Sequence, residues 1–337
     1  MSDISLAFLS LALFNLVIRY GLCQRQIQSV RAHAAQVPAA FAAVITPADH
    51  HKAGAYTVSK MTLTQMQLLA DTIWLLVLTL GGGINLLYGV AASYMPPESS
   101  ILTGLAFLAL LGLISGAIDL PFSIYRQFGV EARFGFNRMT PGLFITDLIR
   151  STLVGALIAL PIVSLLLWLL QDVGAMSWLW AWLAWMAFNG LILFLYPILI
   201  APLFNKFSPM PDSAHKQKLD ALLERCNFSA SGLFVMDGSR RSAHANAYFT
   251  GFGRNRRIVL FDTLINQLTP EQLEAVLAHE IGHYKRKHLP KRLLSMAMIS
   301  LAIEKTPGIC PRGVGWMSWK IGLTGPTKTI LSLKRSG

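Results

Sequence analysis

Five apolar stretches, each long enough to cross a bilayer, constrain the fold of this chain more than any other feature. A helix rises 1.5 Å per residue, so about 20 apolar residues span roughly 30 Å of hydrocarbon. The stretches cover residues 4–22, 68–94, 101–122, 148–170 and 178–204. Only 14% of the 337 residues are charged, whereas soluble domains usually have about 25%. The sequence therefore predicts a membrane domain of about five transmembrane helices over residues 1–204.

The charges of the loops indicate which side of the membrane each loop faces. Loops 23–66 and 123–147 contain all the loop Lys and Arg residues of this domain, whereas the short loops 96–100 and 171–177 contain none. Because Lys and Arg concentrate on the cytoplasmic side, the N-terminus is expected outside and everything after residue 204 in the cytoplasm. Nearly all of the net charge of +12 follows residue 204. In so apolar a chain this favours a lipid bilayer as partner and argues against nucleic acid.

The pattern changes after residue 204 to that of a small α+β domain, which we assign to residues 205–292. Asp212 or Ser213 can cap a first helix, and runs 233–236, 247–252 and 257–261 predict a three-stranded sheet whose last two strands form a hairpin. Thr269, Pro270 and Gln272 then specify the start of a second helix, with a capping box, and Pro290 is expected to end or kink this helix. The predicted fold is mostly α: a multi-pass transmembrane helical bundle with a small α+β domain, in which this helix packs on a short β-sheet.

The second helix contains the residues with the clearest chemistry. His279 and His283 are four apart, so both imidazoles project from one face and can hold one zinc ion per chain. Glu280 points about 100° around from His279, within reach of a zinc-bound water, which is the HExxH pattern of metalloproteases. Gly282 between the histidines is expected to let another backbone approach closely. The competing interpretation is a solvated helix face with two unrelated histidines.

Three segments resemble the type I CAAX prenyl protease family of multi-pass membrane zinc metalloendopeptidases, over residues 1 to about 302. The first runs from Arg25-Gln26-Ile27 through Val37-Pro38-Ala39-Ala40-Phe41 to His51-Lys52-Ala53-Gly54-Ala55-Tyr56. The second is Glu131-Ala132-Arg133-Phe134-Gly135-Phe136-Asn137. The third is His244-Ala245-Asn246-Ala247-Tyr248-Phe249-Thr250-Gly251-Phe252-Gly253, which runs into Arg257-Ile258-Val259-Leu260-Phe261-Asp262-Thr263 and then the HExxH helix. HExxH alone is typical of many metalloproteases, and the combination is far more specific.

The resemblance implies a mechanism and a substrate site. Glu280 would serve as the general base, and an extended peptide would lie against an edge strand at residues 246–252, near Asn246, Ala247 and Tyr248. Asn246 and Tyr248 could equally be ordinary strand residues. His244 is expected to be structural rather than a metal ligand.

The end of the chain departs from the family pattern, which places a glutamate ligand on a helix after two further membrane spans. The available candidates are Glu304, in a different sequence context, and His288, which a continuous helix would turn away from His279. Residues 293–303 start a sixth apolar segment too short to span, and 304–337 form a basic tail rich in Gly and Pro. We interpret this tail as foreign to the family, as after a frame shift or truncation; the alternative is a divergent ending that supplies Glu304.

Three functions are consistent with these residues. The first is a zinc-dependent membrane endopeptidase that acts on prenylated or membrane-associated peptides in a bacterial inner membrane or an endoplasmic reticulum. The second is a quality-control protease with the same chemistry and broader substrates. The third is an inactive relative that lacks the third zinc ligand.

Overall fold

The structure, a computed structural model, describes residues 2–43, 45–172, 176–228, 232–250 and 257–305. The N-terminal part consists of helices α1 (Asp3–Ala32), α2 (Pro47–Thr79), α3 (Gly83–Tyr94), α4 (Ser100–Ile124), α5 (Pro141–Asp172), α6 (Ser177–Leu195) and α7 (Ala201–Phe204). Two π-helical segments, Tyr125–Glu131 and Tyr196–Ile200, follow α4 and α6. The C-terminal part consists of β1 (Phe207–Pro209), α8 (Ala214–Arg225), β2 (Leu233–Met236), β3 (Ala247–Thr250), β4 (Arg257–Phe261), α9 (Asp262–Gln267), α10 (Pro270–Lys285) and α11 (His288–Lys305). The predicted fold class, a helical bundle with a small α+β domain, is confirmed.

The described residues include five helices that are long and apolar enough to cross a membrane, as predicted. They are Asp3–Ala32, Pro47–Thr79, Ser100–Glu131, Pro141–Gln171 and Ser177–Phe204. The first continues ten residues beyond the predicted apolar stretch 4–22. Its polar end packs on α2, where Ile27 is buried and Gln65 Nε2 donates to Gln24 Oε1 at 3.1 Å. Packing between helices therefore extends this helix past the point where hydropathy alone ends it.

The predicted second span, residues 68–94, is wrong as one continuous helix. The structure interrupts it at Gly81–Gly83, where Gly82 has φ +75°, a left-handed conformation that favours glycine. A Cβ at Gly81 would lie 2.7 Å from the Val77 carbonyl oxygen, so this turn excludes larger residues. Helix α4 runs antiparallel to α2, and its contacts continue in the same order from α2 into α3. Helix α3 therefore continues the course of α2 after the break. The contacts are Gln67 with Asp119, Trp74 with Ser115 and Tyr88 with Phe107.

The sheet of the C-terminal domain has, among the described residues, four strands in the order β1-β2-β4-β3. Strand β1 is antiparallel to β2, β2 is parallel to β4, and β3 is antiparallel to β4. The predicted three-stranded sheet thus lacked β1, which is three residues long and ends in Pro209, so it has no alternating pattern to detect. The β3–β4 pairing agrees with the predicted hairpin, whose connection at 251–256 lies outside the described residues.

Helices α8 and α10 form the core of this domain with the sheet. Buried members of the core cluster are Leu219, Leu222, Leu223, Ile258, Leu260, Leu273, Leu277 and Ile281. The three residues of α10 recur every fourth position and are at most 2% exposed, and each contributes about 2 kcal/mol by leaving water. At the start of α10, the Gln272 N–H donates to Thr269 Oγ1 and the Thr269 N–H to Gln272 Oε1, as the predicted capping box requires.

The end of α10 differs from the sequence analysis, in which Pro290 ends or kinks one long helix. Helix α10 already ends at Lys285, and Lys287 adopts φ +53° before α11 begins at His288. Pro290 lies in the first turn of α11, where a missing N–H costs no helical hydrogen bond. The helix is therefore interrupted between Lys285 and His288, and this interruption determines where His288 lies.

Candidate metal centre

The two histidines of the HExxH motif lie on the exposed side of α10, and their rings converge. The Nε2 atoms of His279 and His283 are 3.1 Å apart, and the ring centroids are 4.7 Å apart. Residues four apart on a helix lie one turn above each other, which brings the two rings together. Because Leu273, Leu277 and Ile281 occupy the buried side of α10, both rings face away from the sheet.

This spacing fits one zinc ion. Two nitrogens bound to a tetrahedral zinc at 2.0–2.1 Å lie roughly 3.3 Å apart, so a slight rotation of the rings from 3.1 Å would admit the ion. Within the described part of the chain, Glu280 makes no ion pair and no side-chain hydrogen bond, which leaves its carboxylate available as a proton acceptor. The expected close approach at Gly282 is wrong for the described residues, because apart from the adjacent backbone of α10 itself no atom lies within 4 Å of a Cβ built there.

His288 lies beside the pair, contrary to the sequence analysis. The reasoning from a continuous helix is wrong because the break at Lys287 turns His288 back, and its Nδ1 atom lies 2.8 Å from His283 Nδ1. This contact uses the ring nitrogen of His283 that faces away from His279. If a metal takes Nε2 of His283, its proton must be on Nδ1, and His288 accepts that proton's hydrogen bond. In that case His288 would orient the His283 ring toward the metal.

The third ligand stays a prediction. Among the described residues, no three His, Cys, Asp or Glu side chains form a group that could hold a metal ion. Glu304 lies near the end of α11, about 24 Å along the helix axis from His288, and its side chain lies outside the described residues. The tail from residue 306 is also outside the description.

Strand β3 contacts α10 and forms one edge of the sheet as described. The Phe261 N–H donates to the Asn246 carbonyl at 3.0 Å, and Ala247 is opposite Leu260. Since main-chain groups alternate in direction along an antiparallel pair, the N–H and C=O of Ala247 face the open edge. The Ala247 N–H is occupied by the Asn246 side-chain oxygen at 2.9 Å.

Tyr248, also predicted at the substrate site, directs its side chain across the sheet instead. Its hydroxyl contacts Met236 Sδ at 3.8 Å, and its ring meets Phe261 edge-on. Burial raises the pKa of Tyr248 to about 12. The phenol of Tyr248 therefore lies over the sheet and not at the open edge of β3, where the predicted peptide would pair with main-chain groups.

The three segments that carried the family resemblance meet in one cluster, which we call the seam cluster: Tyr56, Glu131, Phe136 and His244. The Tyr56 hydroxyl donates to Glu131 Oε1 at 2.7 Å, and His244 Nε2 lies 3.0 Å from Glu131 Oε2. The rings of Phe136 and His244 stack at 4.3 Å with an interplanar angle of 16°. His244 thus has a structural place in the described residues, and sequence reasoning did not connect it to Glu131 or Tyr56.

The backbone joins the same two parts of the molecule. The Ala243 N–H donates to the Phe136 carbonyl at 2.9 Å, and the Arg138 N–H to the Arg241 carbonyl at 3.2 Å. Beside these bonds the Arg241 guanidinium donates to both Asp147 oxygens, at 2.7 and 3.0 Å, with both side chains less than one-fifth exposed. The segment that leads into β3 is therefore fixed to the helical domain immediately before the edge strand begins.

Two family models match the chain on either side of this junction. One, described as CAAX prenyl protease N-terminal, five membrane helices, matches residues 26–206. The other, described as Peptidase family M48, matches residues 209–310. The boundary between them coincides with the passage from α7 to β1.

Several proteins resemble most of the chain. It is 41% identical over 207 residues to the CAAX prenyl protease 1 homolog of Arabidopsis thaliana, which covers 61% of this chain and 49% of that protein. For the homolog of Homo sapiens the identity is 31% over 320 residues, with 82% and 66% covered. The crystal structure of S. mikatae Ste24p matches with a TM-score of 0.83 at 31% identity, covering 90% of this chain and 72% of that chain.

The chain spans about half the length of the Arabidopsis and Oryza sativa relatives. The two family models nevertheless cover both of its domains, and the fold agrees with that of Ste24p over 90% of the chain. This chain therefore belongs to the CAAX prenyl protease family of the M48 metallopeptidases and is a multi-pass integral membrane protein.

Proposed function

We propose that this chain forms a zinc-dependent membrane endopeptidase in which His279 and His283 bind the metal and Glu280 is the general base. The observation that supports this most directly is the 3.1 Å approach of the two Nε2 atoms on the exposed side of α10. Membership of a metallopeptidase family supports the same assignment, since the motif lies in the segment that matches Peptidase family M48.

The residues of the motif have distinct parts in the proposed reaction. A bound zinc ion would supply Lewis acidity, which lowers the pKa of water and polarises a peptide carbonyl. Glu280 accepts the proton of the attacking water and transfers it to the nitrogen of the leaving amine. Its position directly after His279 brings the carboxylate next to the two imidazoles, and its lack of a described partner leaves both oxygens accessible.

The open edge of β3 is the proposed place for the peptide. The carbonyl of Ala247 can accept a substrate N–H, and its N–H can donate to a substrate carbonyl once the Asn246 side chain moves aside. Pairing through the main chain demands little of the substrate sequence. It would hold the peptide beside α10, which contacts this strand.

The substrate class we propose is a prenylated C-terminus or another membrane-associated peptide. The relatives described above are CAAX prenyl protease 1 homologs, and in this chain the domain that contains the HExxH helix follows five membrane helices. With the N-terminus outside, five crossings put this helix on the cytoplasmic side of either a bacterial inner membrane or an endoplasmic reticulum.

Two alternatives have an observation in their favour. A quality-control protease fits the main-chain mode of binding at β3, because such binding selects little. An inactive relative fits the lack of a third ligand among the described residues.

Zinc content and peptide cleavage, measured on the purified chain and on Glu280→Gln, test the proposal. We expect about one zinc per chain in both proteins, with cleavage reduced by at least about 100-fold in the variant. Glu271→Gln, an exposed carboxylate on the same helix, is the matched control and should retain activity. Cleavage undiminished by Glu280→Gln would remove the proposed base.

The other outcomes distinguish the alternatives. One zinc per chain without cleavage would favour the inactive relative, and no zinc would contradict the ligand assignment. Preference for a prenylated peptide over its unmodified form supports the CAAX class, whereas equal cleavage favours the quality-control protease.

A further inference from the structure

A cavity of about 530 Å³ lies at the junction of the two domains, away from the histidine pair. The first turns of α5, the end of α7 and the segment around Arg240 form its walls. Because α5 begins and α7 ends here, the cavity lies where two membrane-spanning helices reach the surface of the bilayer. Its volume is within the range of pockets that hold small ligands.

Four basic residues line this cavity, Arg150, Lys206, Arg240 and Arg241, and the lining residues that the structure describes include no Asp or Glu. Arg240 forms an ion pair with Asp237, and Arg241 forms one with Asp147; neither aspartate is among these lining residues. In the part of the chain that the structure describes, neither the Arg150 guanidinium nor the Lys206 ammonium has a carboxylate oxygen within 4.0 Å.

Hydrogen bonds fix the Arg150 side chain and the Lys206 main chain at the wall of the cavity. Arg150 Nη1 donates to the Leu203 carbonyl at 2.7 Å, which fixes the guanidinium but neutralises none of its charge. The main-chain N–H of Lys206 donates to Asp237 Oδ1 at 2.7 Å, whereas its side chain is exposed. Among the described residues, both side chains thus line the cavity with no carboxylate paired to their charges.

The surface beside the cavity is apolar. Ile145 and Ile149 on α5 are each 55% exposed, and Leu203, which itself lines the cavity, is 46% exposed. Charge within a cavity and exposed aliphatic side chains next to it match the two parts of a phospholipid, a phosphate and its acyl chains. A soluble anion or the phosphate of a phosphopeptide would gain nothing from contact with the aliphatic side chains.

We propose that this cavity binds the phosphate of an anionic glycerophospholipid, with Arg150 and Lys206 as its principal cationic contacts. The acyl chains lie along the exposed faces of α5 and α7. A lipid bound in this way contacts the helical domain through Arg150 and the start of the peptidase domain through Lys206. The proposal is independent of zinc binding and of catalysis.

Native mass spectrometry of the full chain in detergent tests it, with dioleoyl-phosphatidylglycerol and dioleoyl-phosphatidylcholine as the probes. We expect preferential retention of phosphatidylglycerol, and a loss of affinity of about tenfold or more in the double variant Arg150→Gln, Lys206→Gln. The double variant Arg31→Gln, Lys52→Gln is the matched control, because it removes two exposed charges near the ends of α1 and α2 without touching the cavity. Its affinity should change by less than about threefold.

A charge-conserving double variant, Arg150→Lys with Lys206→Arg, separates lost charge from misfolding and should bind within about threefold of the original chain. Equal losses in the cavity and control variants would overturn the proposal, as would equal retention of the two lipids. Inorganic phosphate should not displace the lipid, because it lacks the acyl contacts. Displacement by phosphate would identify a site for a soluble anion and overturn the assignment to lipid.

Discussion

Replacing His288 by Phe should weaken zinc binding without removing a ligand. The Nδ1 atoms of His283 and His288 are 2.8 Å apart, on the side of the His283 ring opposite His279. Zinc at Nε2 of His283 requires the proton at Nδ1, and His288 is its acceptor. Phe preserves an aromatic ring of similar size but accepts no such bond, so the imidazole loses its orientation and some of its basicity.

The expected size of the effect follows from the contact. One neutral hydrogen bond contributes about 0.5–1.5 kcal/mol, and about 1.4 kcal/mol corresponds to a tenfold change in Kd. Partners of metal-bound histidines typically change metal affinity by 10–100-fold. Both rings are exposed, so water can partly replace His288, and we expect a zinc Kd raised about tenfold.

Competition with a chromophoric zinc chelator measures this Kd at a fixed pH. His51→Phe is the matched control, since His51 is exposed on α2 and distant in sequence, and its variant should leave the Kd unchanged. His279→Ala sets the scale for loss of a ligand. An unchanged Kd in His288→Phe would refute the orienting role, and a loss equal to that of His279→Ala would make His288 a ligand itself.

Three further predictions concern stability, each measured by thermal unfolding of the purified protein in detergent. Glu131→Gln removes the charge that accepts hydrogen bonds from Tyr56 and His244, and should cost about 1.5–3 kcal/mol; an unchanged Tm would show that the seam cluster is not stabilising. Thr269→Ala should cost about 1 kcal/mol through the lost cap whereas Thr269→Ser should not, and equal Tm values for the two would contradict this. Burial raises the pKa of Tyr248 to about 12, from 10 in the unfolded chain, so its contribution to the free energy of unfolding is complete below pH 10 and is lost between pH 10 and 12. Tyr248→Phe should reduce this loss of stability at alkaline pH, and an identical pH profile of Tm in the two proteins would contradict the prediction.

Elements whose physics is local could be predicted from the sequence. The membrane helices follow from runs of apolar residues, and α10 follows from a capping box, a proline in the first turn and a four-residue apolar repeat. The convergence of His279 and His283 also needs only the helical period. In each case the information lies within one or two helical turns.

Two of the errors occurred where the local sequence contains no signal. Nothing in the sequence marks Lys287 as a residue with positive φ, whereas Pro290 is a strong signal for the end of a helix. The end of α10 was therefore predicted too far along the chain. The same error turned His288 away from the metal centre. Strand β1 forms by pairing with the edge of β2, and three residues that end at Pro209 contain no pattern that predicts this pairing.

The seam cluster explains why the family resemblance is divided among three distant segments. Tyr56, Glu131 and His244 are separated by up to 188 positions and are joined by hydrogen bonds of 2.7–3.3 Å. Three residues after His244 the chain enters the edge strand β3, and β3 lies against the helix that bears the histidine pair. Under the proposed function, the height of the substrate edge above the bilayer is therefore set by contacts with the membrane helices. A soluble metalloprotease needs only its catalytic motif in place, whereas an enzyme that cuts at a fixed distance from a lipid surface must also fix the strand that holds the peptide.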